Sequence, residues 1–162
     1  MFISPTKGKL PQTQLIDSVA DFIEEKPDLP YRLIIGSDSH LRGKNGESHL
    51  KLVTAIIVHR VGLGGRYFWQ AQHLKETKTL RDKIYAETLE SLSFASTFVP
   101  LLKKSLNGKT PLYNLEIHID VGEHGDTRDM IKEVVGMVAG NGFVARTKPN
   151  AYGASCVADR HT

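Results

Sequence analysis

Cysteine is almost missing from this chain: Cys156 is the single one among 162 residues. That scarcity excludes an internal disulfide and any multi-cysteine zinc site, and it fits a reducing compartment. Cys156 itself reads as a small packing residue near the C-terminus. Long apolar runs are missing too, and Met1-Phe2-Ile3-Ser4-Pro5 lacks the charged start and apolar centre of a signal peptide. A cytoplasmic protein with no membrane contact is expected. There is no internal repeat, low-complexity segment or linker, and no strong excess of one charge. The net charge of +3 and a pI near 9.0 permit a polyanionic partner without demanding one.

What is present suits one well-buried domain, 1–162, in which residues 1–30 bring an extra helix to a core of residues 31–162. Gln12 to Lys26 carries Leu15, Ile16, Val19, Phe22 and Ile23 at helical spacing, closed by Pro27 and Pro30. Three strands follow: one around Leu33-Ile34-Ile35-Gly36-Ser37-Asp38-Ser39-His40, a second over Lys51 to Arg60, a third at Tyr67-Phe68-Trp69. The glycines of Gly62-Leu63-Gly64-Gly65 stand between two strands, so they predict a hairpin turn, not a phosphate loop leading into a helix. A long helix is expected from Thr79 to about Leu106, with Pro100 kinking or dividing it. A fourth strand, Leu115 to Gly122, precedes a helix over Met130 to Ala139, with Asp126 or Thr127 as its cap. Phe143 to Thr147 forms a last strand, and Ala154 to His161 a final short helix with Ser155 and Asp159 on one side.

Acids interrupt these apolar elements in a pattern. Asp38 and Asp120 each end an apolar run, where a carboxylate has little packing purpose, and two core strands offering an aspartate each are the seed of a metal site. In the long helix Glu87 falls inside the apolar stripe, whereas Glu90 falls nearer its margin. A carboxylate facing a core needs a cation or hydrogen-bond donors. A metal ion answers that need, and so does a buried ion pair with Arg81 or Lys83. His118 alternates with Ile117 and Ile119 and so shares a face with Asp120.

Several stretches taken together resemble the YkuK-like family of small bacterial proteins related to ribonuclease H. They are Gly36-Ser37-Asp38-Ser39, Val58-His59-Arg60 and the glycines after it, and Leu80-Arg81-Asp82-Lys83-Ile84-Tyr85-Ala86-Glu87-Thr88. His118-Ile119-Asp120-Val121-Gly122, Lys148-Pro149-Asn150-Ala151 and Val157-Ala158-Asp159 complete the set. The resemblance covers the chain from about Arg32 and leaves the first helix outside the common core. It implies an α/β, ribonuclease H-like mixed sheet of five strands, three antiparallel and then two parallel, with helices on both faces and an extra N-terminal helix. His40 departs from the pattern, which has glutamine there; a metal ligand, a proton carrier and a tolerated polar residue all stay open.

The function implied by that resemblance is a metal-dependent nuclease hydrolysing phosphodiester bonds of RNA or DNA with two Mg²⁺ or Mn²⁺ ions. Two such ions activate the attacking water and neutralise the leaving oxygen, and hard oxygen ligands suit them. Asp38 is then the central, bridging ligand, Glu87 and Asp120 stand beside it, and Asp159 completes the set. His124 is expected to protonate the leaving group or aid product departure. Ser39, His40 and Lys148 are expected to contact substrate, and Lys75, Lys78, Arg81, Lys83 and Arg146 are further candidates for phosphates. No obligate protein partner is expected, and nothing implies specificity for RNA–DNA hybrids. The rival from another class is a nucleic-acid-binding or scaffold protein that keeps the fold without catalysis.

Overall fold

Alternating apolar residues from Tyr31 to Arg60 build the centre of the molecule. The structure is a computed structural model that describes residues 1–44, 47–75, 79–107, 113–122 and 127–162. Strands β1 (Phe2–Ser4) and β2 (Gly8–Leu10) precede helix α1 (Gln12–Glu24). Three antiparallel strands follow, β3 (Tyr31–Lys44), β4 (Glu47–Arg60) and β5 (Gly65–Lys75). Then come α2 (Leu80–Ser105), β6 (Tyr113–His118), a 3-10 turn at Arg128–Met130, α3 (Ile131–Gly140) and β7 (Val144–Arg146). The chain closes with a π-helical turn, Gly153–Ala158, and a 3-10 turn, Asp159–His161.

One sheet has the order β2-β1-β5-β4-β3-β6-β7, with β6 parallel to β3 and β7 parallel to β6. The expected three antiparallel and two parallel strands are there. Five strands is nevertheless two too few, because residues 2–10 fold into a hairpin that joins β5 through the pair Ile3 and Trp69. Three-residue strands are too short to show a period of two, which hides them in the sequence. The strands β3 and β4 also pair beyond their apolar runs, as far as Lys44 and Glu47. Between β4 and β5 the glycines make the hairpin turn, with Gly62 at φ +79° and Gly64 at φ +82°.

Two faces of the sheet are covered differently. Leu33, Ile35, Ile56, Val58, Phe68 and Ile117 share one core with the apolar residues of α1, α2 and α3. On the opposite face Val53 and Ala55 pack with Ala158 of the C-terminal segment, beside Trp69 and Val157. At the end of α1, whose last carbonyls have no partner within the helix, the Tyr31 hydroxyl lies 3.2 Å from the carbonyls of Phe22 and Ile23 and 3.1 Å from that of Lys26. Arg60 donates to the Phe22 carbonyl at 2.8 Å and to the Tyr31 oxygen at 3.0 Å.

Some local expectations are corrected. Pro100 does not divide α2, which runs on to Ser105. Thr127 stands at the N-cap position of the 3-10 turn that leads into α3 but gives it no side-chain cap bond; its hydroxyl accepts the Gly122 N–H at 3.2 Å, and Asp126 lies outside the described residues. Cys156 is exposed rather than packed. The final segment is a π-helical turn followed by a 3-10 turn, not a regular α-helix, and the Ser155 hydroxyl donates to the Ala151 carbonyl at 3.0 Å.

Candidate metal centre

Asp38 lies where two parallel strands part. Pairing between β3 and β6 ends at Gly36 and His118, so beyond that point β3 has no strand partner on the β6 side among the described residues. Alternation sends Ser37 and Ser39 toward α2 and Asp38 and His40 toward the C-terminal segment. Ser37 is hydrogen-bonded to Ser91 at 2.8 Å, and Ser39 donates to Glu87 Oε1 at 2.6 Å. The Asp38 side chain is only 4% exposed. Its two oxygens meet different groups: Oδ1 is 3.5 Å from Lys83 Nζ, and Oδ2 is 3.5 Å from His40 Nδ1. Oδ2 is buried and has no hydrogen-bond partner among the described residues.

That orphaned oxygen belongs to a group of three side chains with metal-binding atoms. Ligand atoms of Asp38, His40 and Asp159 lie within 4.8 Å of one another among the described residues. His40 and Asp159 are exposed whereas Asp38 is buried, and His40 Nδ1 lies 2.9 Å from the Thr162 hydroxyl, a contact that an ion on that nitrogen would replace. Two carboxylates and one imidazole fit a divalent cation, and the nitrogen donor suits Mn²⁺ better than Mg²⁺.

The other two expected carboxylate ligands face lysines. Glu87 is buried in α2, as its place in the apolar stripe requires, while Glu90 is half-exposed. Lys83, one turn earlier, holds its Nζ 3.2 Å from Glu87 Oε1 as well as near Asp38. Asp120, just past β6, has Lys148 Nζ 3.0 Å from its Oδ1. Lys148, with Gly122, Arg146 and Asn150, lines a cleft of about 670 Å³ beside Asp120. His124 lies outside the described residues, as do Lys78 and the side chain of Lys75. Arg81 pairs with Glu133 at 2.7 Å, away from Asp38.

Two carboxylates sharing one ammonium leave an excess negative charge in a dry place. Burial pushes Glu87 up to about 7, against the pull of Lys83 and Ser39. Burial raises Asp38 as well, with Lys83 opposing it and the Asp120 charge adding to the rise. Burial works against the Lys83 charge, but Glu87 and Asp38 outweigh it and the ammonium holds its proton more firmly than usual.

Sequence reasoning gave no part to Glu116, although Glu116, His118 and Asp120 repeat at every second residue. Glu116 is 3% exposed and bound by Arg32 at 2.7 Å. Burial alone would raise its carboxyl, but Arg32, His118 and Arg146 hold it below the usual range. His118 spans from Glu116 Oε2, 3.1 Å from its Nε2, to the Gly153 N–H, which donates to its Nδ1 at 3.0 Å. Nδ1 is thus the acceptor, and Nε2 carries the proton toward Glu116. His118 therefore ties the segment bearing Asp159 to β6.

A family model described as "Ribonuclease H-like" matches residues 14–162, nearly the whole chain and most of α1. The chain belongs to the ribonuclease H-like family. Within it, the chain is 26% identical to "Uncharacterized protein YkuK" of Bacillus subtilis (strain 168), a match that spans all of this chain and 96% of that relative. No solved structure matches the chain at a significant level. The ribonuclease H-like strands β3 and β6 and the C-terminal segment thus bring Asp38 and Asp159 together, with His40 added, while lysines meet Glu87 and Asp120.

Proposed function

We propose that this protein is a divalent-metal-dependent nuclease that hydrolyses phosphodiester bonds of RNA or DNA in the cytoplasm. The observation behind this reading is the buried Oδ2 of Asp38, which has no hydrogen-bond partner among the described residues and lies 3.5 Å from His40 Nδ1, in the group with Asp159. Asp38, His40 and Asp159 would hold the cation, which supplies charge neutralisation at the phosphate and a more acidic water. The buried Asp38 would set the ion's position, with the exposed Asp159 and, once released from the Thr162 hydroxyl, His40 completing its ligands. Lys148 and Arg146 line the adjoining cleft and receive phosphate oxygens as the strand approaches Asp120. Ser39 positions Glu87 through its 2.6 Å hydrogen bond, one layer below the substrate. His124, outside the described residues, is the proton donor that the family resemblance alone implies.

The pairing of Glu87 and Asp120 with lysines favours one alternative: a nucleic-acid-binding protein whose acids are neutralised by its own side chains. Labelled RNA, DNA, hybrid and branched substrates incubated with Mg²⁺ or Mn²⁺ separate the two. Cleavage that disappears in chelator and drops on the order of 100-fold or more in Asp38→Asn is the expected result. Binding that survives chelator with no cleavage under any condition establishes the alternative instead.

A further inference from the structure

A bridging carboxylate in a two-ion site gives one oxygen to each ion. Asp38 has that division of labour, but only one of its oxygens is without a cation. Oδ2 lies 3.5 Å from His40 Nδ1, in the group that Asp38 and His40 form with Asp159, and has no hydrogen-bond partner among the described residues. Oδ1 faces Lys83 Nζ at 3.5 Å, and the same ammonium is 3.2 Å from Glu87 Oε1. Lys83 therefore sits between the two carboxylates that would share the other ion. Its side chain is only 29% exposed, and its partners are 4% and 5% exposed, so water screens these contacts weakly.

We infer that Lys83 is a built-in cation that replaces one of two metal ions, so that the centre takes a single divalent ion on Asp38, His40 and Asp159. This rests on the reading of the cluster as a cation site, and it replaces the two metals that the family resemblance implies with one metal and one ammonium. An ammonium at hydrogen-bond range of both Asp38 and Glu87 leaves no room for a second ion unless the lysine withdraws. It also fixes a positive charge beside the bound phosphate without needing a high concentration of free metal. The lysine is tethered one helical turn from Glu87, which keeps the pair in register.

Counting bound Mn²⁺ tests this without reference to activity. Metal-stripped protein is titrated with Mn²⁺, and the free-ion signal in electron paramagnetic resonance gives the number bound per chain. One ion is expected for the full-length protein and for Lys83→Arg, two for Lys83→Met, and none for Asp159→Asn at the same concentrations. Glu87→Gln should keep the single ion of the parent and remove the second ion of Lys83→Met. Two ions in the parent, unchanged in Lys83→Met, overturn the lysine's role while leaving a metal centre in place. A single ion lost in Glu87→Gln but kept in Asp159→Asn also overturns it, because the metal then occupies the position assigned to Lys83. No ion in the parent or in folded Lys83→Met, as judged by circular dichroism, removes the cation site itself.

Discussion

Glu87 has two neighbours that favour its charge, Lys83 and Ser39, and a setting that opposes it. Burial wins and places its proton release at about 7 against an ordinary 4.5. The folded chain thus keeps a proton that the unfolded chain gives up, so this group's contribution is whole below pH 4.5 and is lost as the pH rises through about 7. At about 1.4 kcal/mol per unit, the full loss is about 3 kcal/mol. His118 and His161, both held below the usual range chiefly by burial, act with the opposite slope between their folded and unfolded values. The readout is therefore a difference: urea unfolding of metal-free parent minus Glu87→Gln should decline from pH 4.5 to 7 and then level off. A flat difference curve would show that Glu87 is ionised throughout, matched fully by Lys83. The partner was legible in the sequence, since Lys83 and Glu87 stand four residues apart on one helix. What spacing alone does not reveal is that Asp38 turns one oxygen to that lysine and the other to His40, because this depends on where β6 leaves β3.

Elements long enough to display a period were readable, and the shortest were mostly not. The alternation in β3, β4 and β6 and the apolar stripes of α1 and α2 announce themselves over many residues, whereas β1 and β2 have three residues each; β7, equally short, was found within Phe143 to Thr147. The C-terminal segment was read as a helix in the right place, but its π winding reflects tertiary packing. Gly153 explains part of it. A Cβ there would lie 2.7 Å from Ile34 Cγ2 and 3.1 Å from His118 Nδ1, so only glycine lets the backbone approach β3 closely enough to donate to His118. Gly153→Ala is expected to cost about 1–3 kcal/mol of local stability, the range for overpacking a tight site. Because Asp159 rides on the same segment, amide exchange of residues 153–162 should accelerate and Mn²⁺ affinity should fall by roughly ten-fold or more. Exchange in β4 should stay as it was. Unchanged exchange across the segment would mean that the Trp69 stack on His161, at 4.3 Å, and the Lys51 bond to the His161 carbonyl, at 2.6 Å, hold it without the Gly153 contact.

At the scale of the molecule, α1 is an integral wall of the core and not an appendage to it. Leu15, Val19, Phe22 and Ile23 share one apolar cluster with β3 and α2, and the ribonuclease H-like match begins within the same helix. The polar join is as definite as the apolar one. Tyr31, the first residue of β3, presents its hydroxyl to the last carbonyls of α1, and Arg60, its cross-strand partner at the end of β4, donates both to that hydroxyl oxygen and to the Phe22 carbonyl. The Arg60 guanidinium also lies 4.1 Å from the centre of the Phe22 ring and bonds Glu25 at 3.0 Å. Helix and sheet are thus coupled through the Tyr31 hydroxyl and the Arg60 guanidinium, and Tyr31→Phe tests the hydroxyl's share with almost no change of volume. Losing the donor to the helix carbonyls and the acceptor for Arg60 is expected to cost about 1–2 kcal/mol. In a chain of this length that corresponds to a fall in Tm of roughly 2–4 °C per kcal/mol. Mn²⁺ binding should be unaffected, because Asp38 lies further along β3, past the end of the β6 pairing at Gly36. An unchanged Tm in Tyr31→Phe would show that the apolar contacts and the direct Arg60 bonds to the Phe22 carbonyl and Glu25 fasten α1 without the Tyr31 hydroxyl.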